Sequence, residues 1–123
     1  MPPLRYVILW HDGVAEPHFD LMFETLPGSD LATWRSPRWP IEQPTPLTRL
    51  RDHRRAYLEL EGDVSAGRGR VERVAAGTCA VAVGENAVWT IELLTGASPS
   101  TFTVRQLDGD QWEASPDARQ GPD

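Results

Sequence analysis

Residues 18–24 read His-Phe-Asp-Leu-Met-Phe-Glu, and the segment alternates without a break. Phe19, Leu21 and Phe23 share one face; His18, Asp20, Met22 and Glu24 share the other. That period of two is the signature of a β-strand with one face in a core. The same pattern of short strands recurs along the chain. Residues 6–10 are apolar and rich in β-formers, and 31–35, 57–61, 70–74, 78–83, 88–94 and 101–107 are further strand candidates, with Trp112 closing the last. In 57–61, Leu58 and Leu60 are expected inward and Tyr57, Glu59 and Glu61 outward. Pro27-Gly28-Ser29-Asp30 is a turn signal, and Gly77, Gly84, Gly96 and Gly109 punctuate the later strands. Pro37, Pro40, Pro44 and Pro46 each remove a backbone donor, so 36–48 reads as a loop draped over the fold. Residues 62–69 read as a glycine-containing loop. Short strands separated by turns, with no convincing amphipathic helix, predict an all-β fold: a small closed or partly open antiparallel β-barrel.

The 123 residues suit one domain. It is expected over 1–114, followed by a Pro/Gly/Asp-rich tail at 115–123 that should be flexible. Hydrophobic residues are 40%, which supports a packed core rather than disorder. No apolar run approaches the ~18–20 residues of a membrane span, and residues 1–12 make a poor signal peptide. The single cysteine, Cys79, lies in an apolar run and reads as a buried small hydrophobe. A cytoplasmic location is the resulting expectation.

Charge is informative when it is divided. The net charge of −6 argues against broad, non-specific nucleic-acid binding. All twelve cations are arginine. Nine of them lie in 35–73 against six acids, a local +3, while the remainder has three against twelve, or −9. Arg49, Arg51, Arg54 and Arg55 form the tightest group. A guanidinium donates two parallel hydrogen bonds and suits phosphate better than an ammonium does. This patch on an acidic chain suggests a short anionic partner or a strand end; a solvated arginine-rich loop explains it equally well.

The three histidines are His11, His18 and His53. His18 and Asp20 are two apart on a strand, so both side chains project from one face at a separation of roughly 6–7 Å between Cα atoms. His11 ends the preceding strand. If the two strands pair as a hairpin, His11 returns beside His18 and Asp20. Two imidazoles and a carboxylate suit Mn²⁺, Zn²⁺ or Fe²⁺ with positions left open. Spacing alone also fits two ordinary surface histidines at a hairpin. Because Phe19, Leu21 and Phe23 already supply the core, His18 and Asp20 are free to form a site on the outer surface of the barrel. His53 and Tyr57, four apart, would point the same way in an extended chain, among arginines; imidazolium, phenol and guanidinium all donate to phosphate.

These blocks, taken in order, resemble the 3′-phosphoesterase domain family of bacterial DNA ligase D, which also occurs as stand-alone proteins. The strand ending in His11-Asp12, the His18-Phe-Asp20-Leu-Met-Phe-Glu24 segment, Leu31-Ala-Thr-Trp34-Arg-Ser-Pro37, Asp52-His53-Arg-Arg-Ala-Tyr57 with Glu61-Gly62, Gly67-Arg-Gly69 and Gly77-Thr78 follow the family's sequence of motifs. The resemblance implies a β-barrel hydrolase with its site on the outer surface. The implied activity is Mn²⁺-dependent removal of a 3′-phosphate or 3′-ribonucleotide from DNA or RNA-primed DNA in end repair. By position it implies His11, His18 and Asp20 as metal ligands, and His18, His53 and Tyr57 as catalytic groups. His53 and Tyr57 would contact the scissile phosphate, with Arg51, Arg54 and Arg55 nearby. The implied partners are DNA 3′ ends or a primer-template, with a ligase or polymerase on a separate chain as a further partner, and no membrane. Two departures stand out: the family arginine two residues after the metal aspartate is Met22 here, and the first His-to-His spacing is one residue longer, with Pro17 before His18. Met22 keeps an alternative open, a non-catalytic barrel that binds DNA ends or a repair partner through a retained metal and phosphate site.

Overall fold

In a computed structural model that describes residues 3–64, 67–98 and 100–117, the chain forms nine strands. They are β1 (Leu4–Asp12), β2 (His18–Glu24), β3 (Leu31–Ser36), β4 (Thr45–His53), β5 (Gly62–Asp63), β6 (Arg70–Val83), β7 (Val88–Leu93), β8 (Ser100–Asp108) and β9 (Gln111–Pro116). All pair antiparallel. The order β1-β2-β3-β4-β9-β8-β7-β6 closes through β6 onto β1, giving an eight-stranded barrel, and β5 lies outside the ring against β6. Closure removes the free edges that an open sheet would present.

The alternation of β1 and β2 sorts side chains into two apolar clusters. Tyr6, Ile8, Leu21 and Phe23 point into the barrel with Trp34, Ile91, Phe102 and Trp112. Phe23 lies 6.2 Å from both Trp34 and Phe102, ring centre to ring centre, within the range of favourable aromatic pairs. The opposite face carries Val7, Leu9 and Met22, which join Leu31, Leu58 and Val71 in a smaller cluster on the outer wall. Cys79 is buried in the barrel, as its apolar neighbours predict.

Four expectations need correction. Residues 57–61 are not a strand: Arg55–Glu59 is a 3-10 turn lying on the outer wall, with Leu58 as its buried residue. Leu58, and Leu60 just beyond the turn, pack on the barrel wall from outside rather than in the barrel interior. The proline-rich loop ends earlier than 48, because β4 starts at Thr45 and contains Pro46. Pro46 is tolerated there because residues 45–47 pair with β9 while β3 joins β4 only from Thr48 onward, so one side of the strand needs no donor. Residues 70–74 and 78–83 are one continuous strand, β6. Gly77 is no turn; a Cβ there would lie 2.3 Å from the Thr95 carbonyl oxygen, so glycine permits a close backbone approach. Finally, the tail does not begin at 115. Ser115 and Pro116 pair with β8, and the Asp117 N–H donates to the Thr101 carbonyl; 118–123 lie outside the described residues. No helix among the described residues is long and apolar enough to cross a membrane.

Candidate metal centre

The β1–β2 hairpin sets His11 directly opposite His18 and Leu9 opposite Asp20. In register, the two imidazoles are cross-strand neighbours and the carboxylate sits on the diagonal from His11. All three share the outer face with Leu9 and Met22. The ligand atoms His11 Nδ1, His18 Nε2 and an Asp20 oxygen form a group able to hold a metal ion, all within 4.8 Å of one another. His11 Nδ1 is 3.4 Å from Asp20 Oδ2 and His18 Nε2 is 3.2 Å from Oδ1.

The face is outer, but it is not bare. His18 and Asp20 are only 6% and 5% exposed. Both are therefore buried rather than free on the surface as expected; the 13–17 turn meets His18 through Glu16, and the 67–69 segment meets His11. These contacts orient the ligands. His18 Nδ1–H donates to the Glu16 carbonyl at 2.8 Å and His11 Nε2–H donates to the Arg68 carbonyl at 2.7 Å. A carbonyl only accepts, so each ring spends one N–H on the backbone and turns its other nitrogen toward Asp20. Opposite ring atoms are used on the two histidines, yet both free nitrogens converge. Backbone carbonyls fix metal-binding imidazoles in this way in known sites.

The arrangement is electrostatically incomplete. Asp20 Oδ1 is buried and lacks a hydrogen-bond partner, because the His18 approach has the distance of an ion pair without the alignment of a hydrogen bond. Two neutral imidazole lone pairs facing a carboxylate repel unless a cation lies among them. A proton on His18 is one solution. Asp20 accordingly holds the His18 pKa above its ordinary 6.5 against the opposing effect of burial, with the Glu16 carbonyl acting in the same sense and Arg35 against it. A divalent ion is the other solution, and the donor set fits one.

Gly69 makes the contact with His11 possible. Its φ is +83°, and a Cβ there would lie 2.2 Å from the Asp12 carbonyl oxygen and 3.2 Å from His11 Nε2. A residue without a side chain thus brings the Arg68 carbonyl onto His11. The Gly67-Arg-Gly69 motif was visible in the sequence, but its contact with His11 was not.

His53 and Tyr57 come together, with ring centres 5.0 Å apart. They do so through a bend, since Tyr57 is in the 3-10 turn, not through an extended chain. His53 Nδ1–H donates to the Arg51 carbonyl. His53 is level with Glu24 rather than Asp20: Glu24 pairs with Leu31, and Leu31 with His53. His53 therefore lies four residues, about 13 Å, along the strands from Asp20. Tyr57 lines a cavity of about 260 Å³ with Arg54 and Arg68, and Arg68 is also the residue whose carbonyl holds His11. Arg51 is exposed on β4. Arg55 is committed elsewhere, its guanidinium paired with the buried carboxylate of Glu24. Arg49 packs over Trp34 at 4.6 Å. Met22 is fully buried in the outer cluster.

One cation at the centre was not singled out from the sequence. Arg35 on β3 pairs in register with Asp20, and it lines a cleft of about 280 Å³ with His11, Val14, Ala15, Glu16 and His18. The signal was present in the alternation of 31–35, but it becomes readable only when β3 is known to neighbour β2. The chain matches no protein-family model and no curated protein.

Proposed function

We propose that this protein is a divalent-metal-dependent phosphoesterase acting on the 3′ ends of DNA or RNA-primed DNA, removing a 3′-phosphate or 3′-ribonucleotide. The observation that carries the reading is the convergence of His11 Nδ1, His18 Nε2 and the Asp20 carboxylate, with each imidazole held by a backbone carbonyl and Asp20 Oδ1 left without a partner. Such a set is built around a cation. Mn²⁺ is the ion the family resemblance implies, and two nitrogens and an oxygen suit Zn²⁺ or another divalent ion as well.

His11, His18 and Asp20 would hold the ion, which when bound supplies Lewis-acid charge to a phosphate oxygen and lowers the pKa of a water. The 13–17 turn excludes bulk solvent from one side of the group and so strengthens every charge interaction within it. His53 and Tyr57 present an imidazole and a phenol beside Arg54 and Arg51; on this reading they donate to backbone phosphates of the bound strand. The negative charge of the protein as a whole keeps binding local to that end.

The test is incubation with Mn²⁺ and a primer-template bearing a 3′-phosphate or a 3′-ribonucleotide. Product that disappears in His11→Ala and falls in His53→Ala is expected. A wild-type protein that binds no Mn²⁺ and releases no product overturns the reading. A second reading, end binding without turnover, is favoured by the complete burial of Met22 where the family carries an arginine. It predicts tight Mn²⁺-dependent binding of the primer and no product.

A further inference from the structure

We propose that Arg35 is the phosphate-binding guanidinium of this centre, and that the phosphate under attack sits in the cleft bounded by His11, His18 and Arg35. The inference rests on the phosphoesterase reading and adds to it a residue and a position for the substrate.

Three observations lead there. The first is placement. Arg35 is the cross-strand partner of Asp20, so both side chains leave the sheet on the outer face. Its neighbours fix the backbone: Trp34 is fully buried in the barrel, and Ser36 is buried with its hydroxyl donating to the Arg38 carbonyl. The second is availability. Arg5, Arg49, Arg55, Arg73 and Arg105 are each paired with a carboxylate, whereas Arg35 makes no ion pair with any described residue. Even its register partner Asp20 is approached by the two imidazoles instead. An unpaired, exposed guanidinium beside a buried carboxylate keeps its planar fork for an incoming anion. The third is exclusion. Met22, two residues beyond Asp20 on the same face, is sealed beneath the 3-10 turn with Leu58. A long cation at that position would have to displace the turn, so charge for the substrate has to come from a neighbouring strand. β3 supplies it.

The surrounding space has the right form. The cleft over the two histidines joins a second of about 220 Å³, which shares Glu16, His18 and Arg35 and continues along Pro37, Pro46, Thr48 and Gln111. Arg35 thus stands where the two clefts meet. A phosphate held there reaches the metal ligands on one side and leaves the sugar it esterifies to lie along the prolines on the other. Each cleft alone lies below the roughly 300–1,000 Å³ of a typical small-molecule pocket, so a phosphate and its sugar would share the two. Glu16 is the carboxylate that lines both clefts.

The experiment uses the full chain. Mn²⁺ affinity is measured by calorimetry, and access of inorganic phosphate to the bound ion by the ³¹P relaxation that protein-bound Mn²⁺ causes. In Arg35→Ala, Mn²⁺ affinity should stay within about threefold of wild type, because Arg35 is no ligand. Phosphate affinity should fall about tenfold or more, and Arg35→Lys should recover only part of it, since a point charge lacks the fork. Unchanged phosphate affinity in Arg35→Ala overturns the inference, as does a Mn²⁺-loaded wild type whose ion relaxes no phosphate. A wild type that binds no Mn²⁺ instead removes the metal reading itself, and the inference falls with it. Retained Mn²⁺ affinity also shows that each variant is folded.

Discussion

Replacing Gly69 by alanine tests whether the covering segment builds the metal centre or merely lies on it. The substitution has two separable effects. Gly69 has φ +83°, and placing an L-residue in that region costs about 1–2 kcal/mol. The second effect is local contact. The new Cβ would be 2.2 Å from the Asp12 carbonyl oxygen, whereas ordinary contact begins near 3.4 Å, so the segment must retreat by about 1.2 Å. If the Arg68 carbonyl moves by the same amount, its 2.7 Å bond to His11 Nε2 stretches to about 3.9 Å and is lost. His11 then rotates without a guide, and loss of such an orienting partner lowers metal affinity about 10- to 100-fold. Gly67→Ala is the control: its φ is +67°, and a Cβ there meets nothing within 4 Å. Both variants should lose a similar 1–2 kcal/mol in urea denaturation from the backbone term, with Gly69→Ala losing more. Only Gly69→Ala should lose Mn²⁺ affinity by calorimetry. Equal Mn²⁺ affinity in the two variants refutes the reasoning.

Three further outcomes are expected. Glu24 is buried and accepts from the backbone N–H groups of Arg5 and Gly28 and from Arg55; Glu24→Ala should cost about 3 kcal/mol in urea denaturation while leaving Mn²⁺ affinity intact, and a loss under 1 kcal/mol would count against its role as a tie between β2 and the 3-10 turn. Burial pushes the Cys79 thiol up to about 12, so it should resist a disulfide reagent at about pH 8 in the native state and react once the barrel is unfolded; rapid reaction of the folded protein would show that the interior opens. Asp20 holds the His18 pKa above 6.5, so without metal the stabilisation from charged His18 is complete below 6.5 and fades as the pH rises through the raised value. Mn²⁺ needs the same nitrogen unprotonated, so its affinity should climb across that window and then level off; a calorimetric series flat from about pH 5.5 to about pH 8.5 would contradict the assignment of Nε2 as a ligand.

The barrel was legible because its walls obey period two. β2 runs from His18 to Glu24, the residues whose alternation is cleanest, and β3 starts at Leu31 as expected. The misreadings share one cause: a residue whose local preference was overruled by a neighbour distant in sequence. Pro46 sits in a strand because only one flank of β4 is occupied there. Gly77 looked like a turn but lies within a fourteen-residue strand, where the Thr95–Gly96 backbone crosses it. The segment Tyr57-Leu58-Glu59-Leu60 alternates, yet curls into a 3-10 turn because Leu58 has an apolar patch of Val7, Leu9 and Met22 to cover on the outer wall. Period two cannot distinguish a leucine facing a barrel's interior from one that caps its exterior.

The centre divides along the same line. His11, His18 and Asp20 lie on two consecutive strands joined by a short connection, so their meeting depends on a single hairpin, and alternation was enough to anticipate it. What holds them is another matter. The Arg68 carbonyl is 57 residues from His11, and no local rule links the two. Arg35 joins the group only through the β2–β3 register, which no local pattern announces. The outer cluster explains why this matters for chemistry. Met22 is covered by Leu58 of the 3-10 turn, while His11 is oriented by the Arg68 carbonyl, so the two halves of the outer wall are held by different segments. A change at the 3-10 turn, such as loss of the Glu24–Arg55 pair, should therefore register in stability, and a change at Gly69 at the metal.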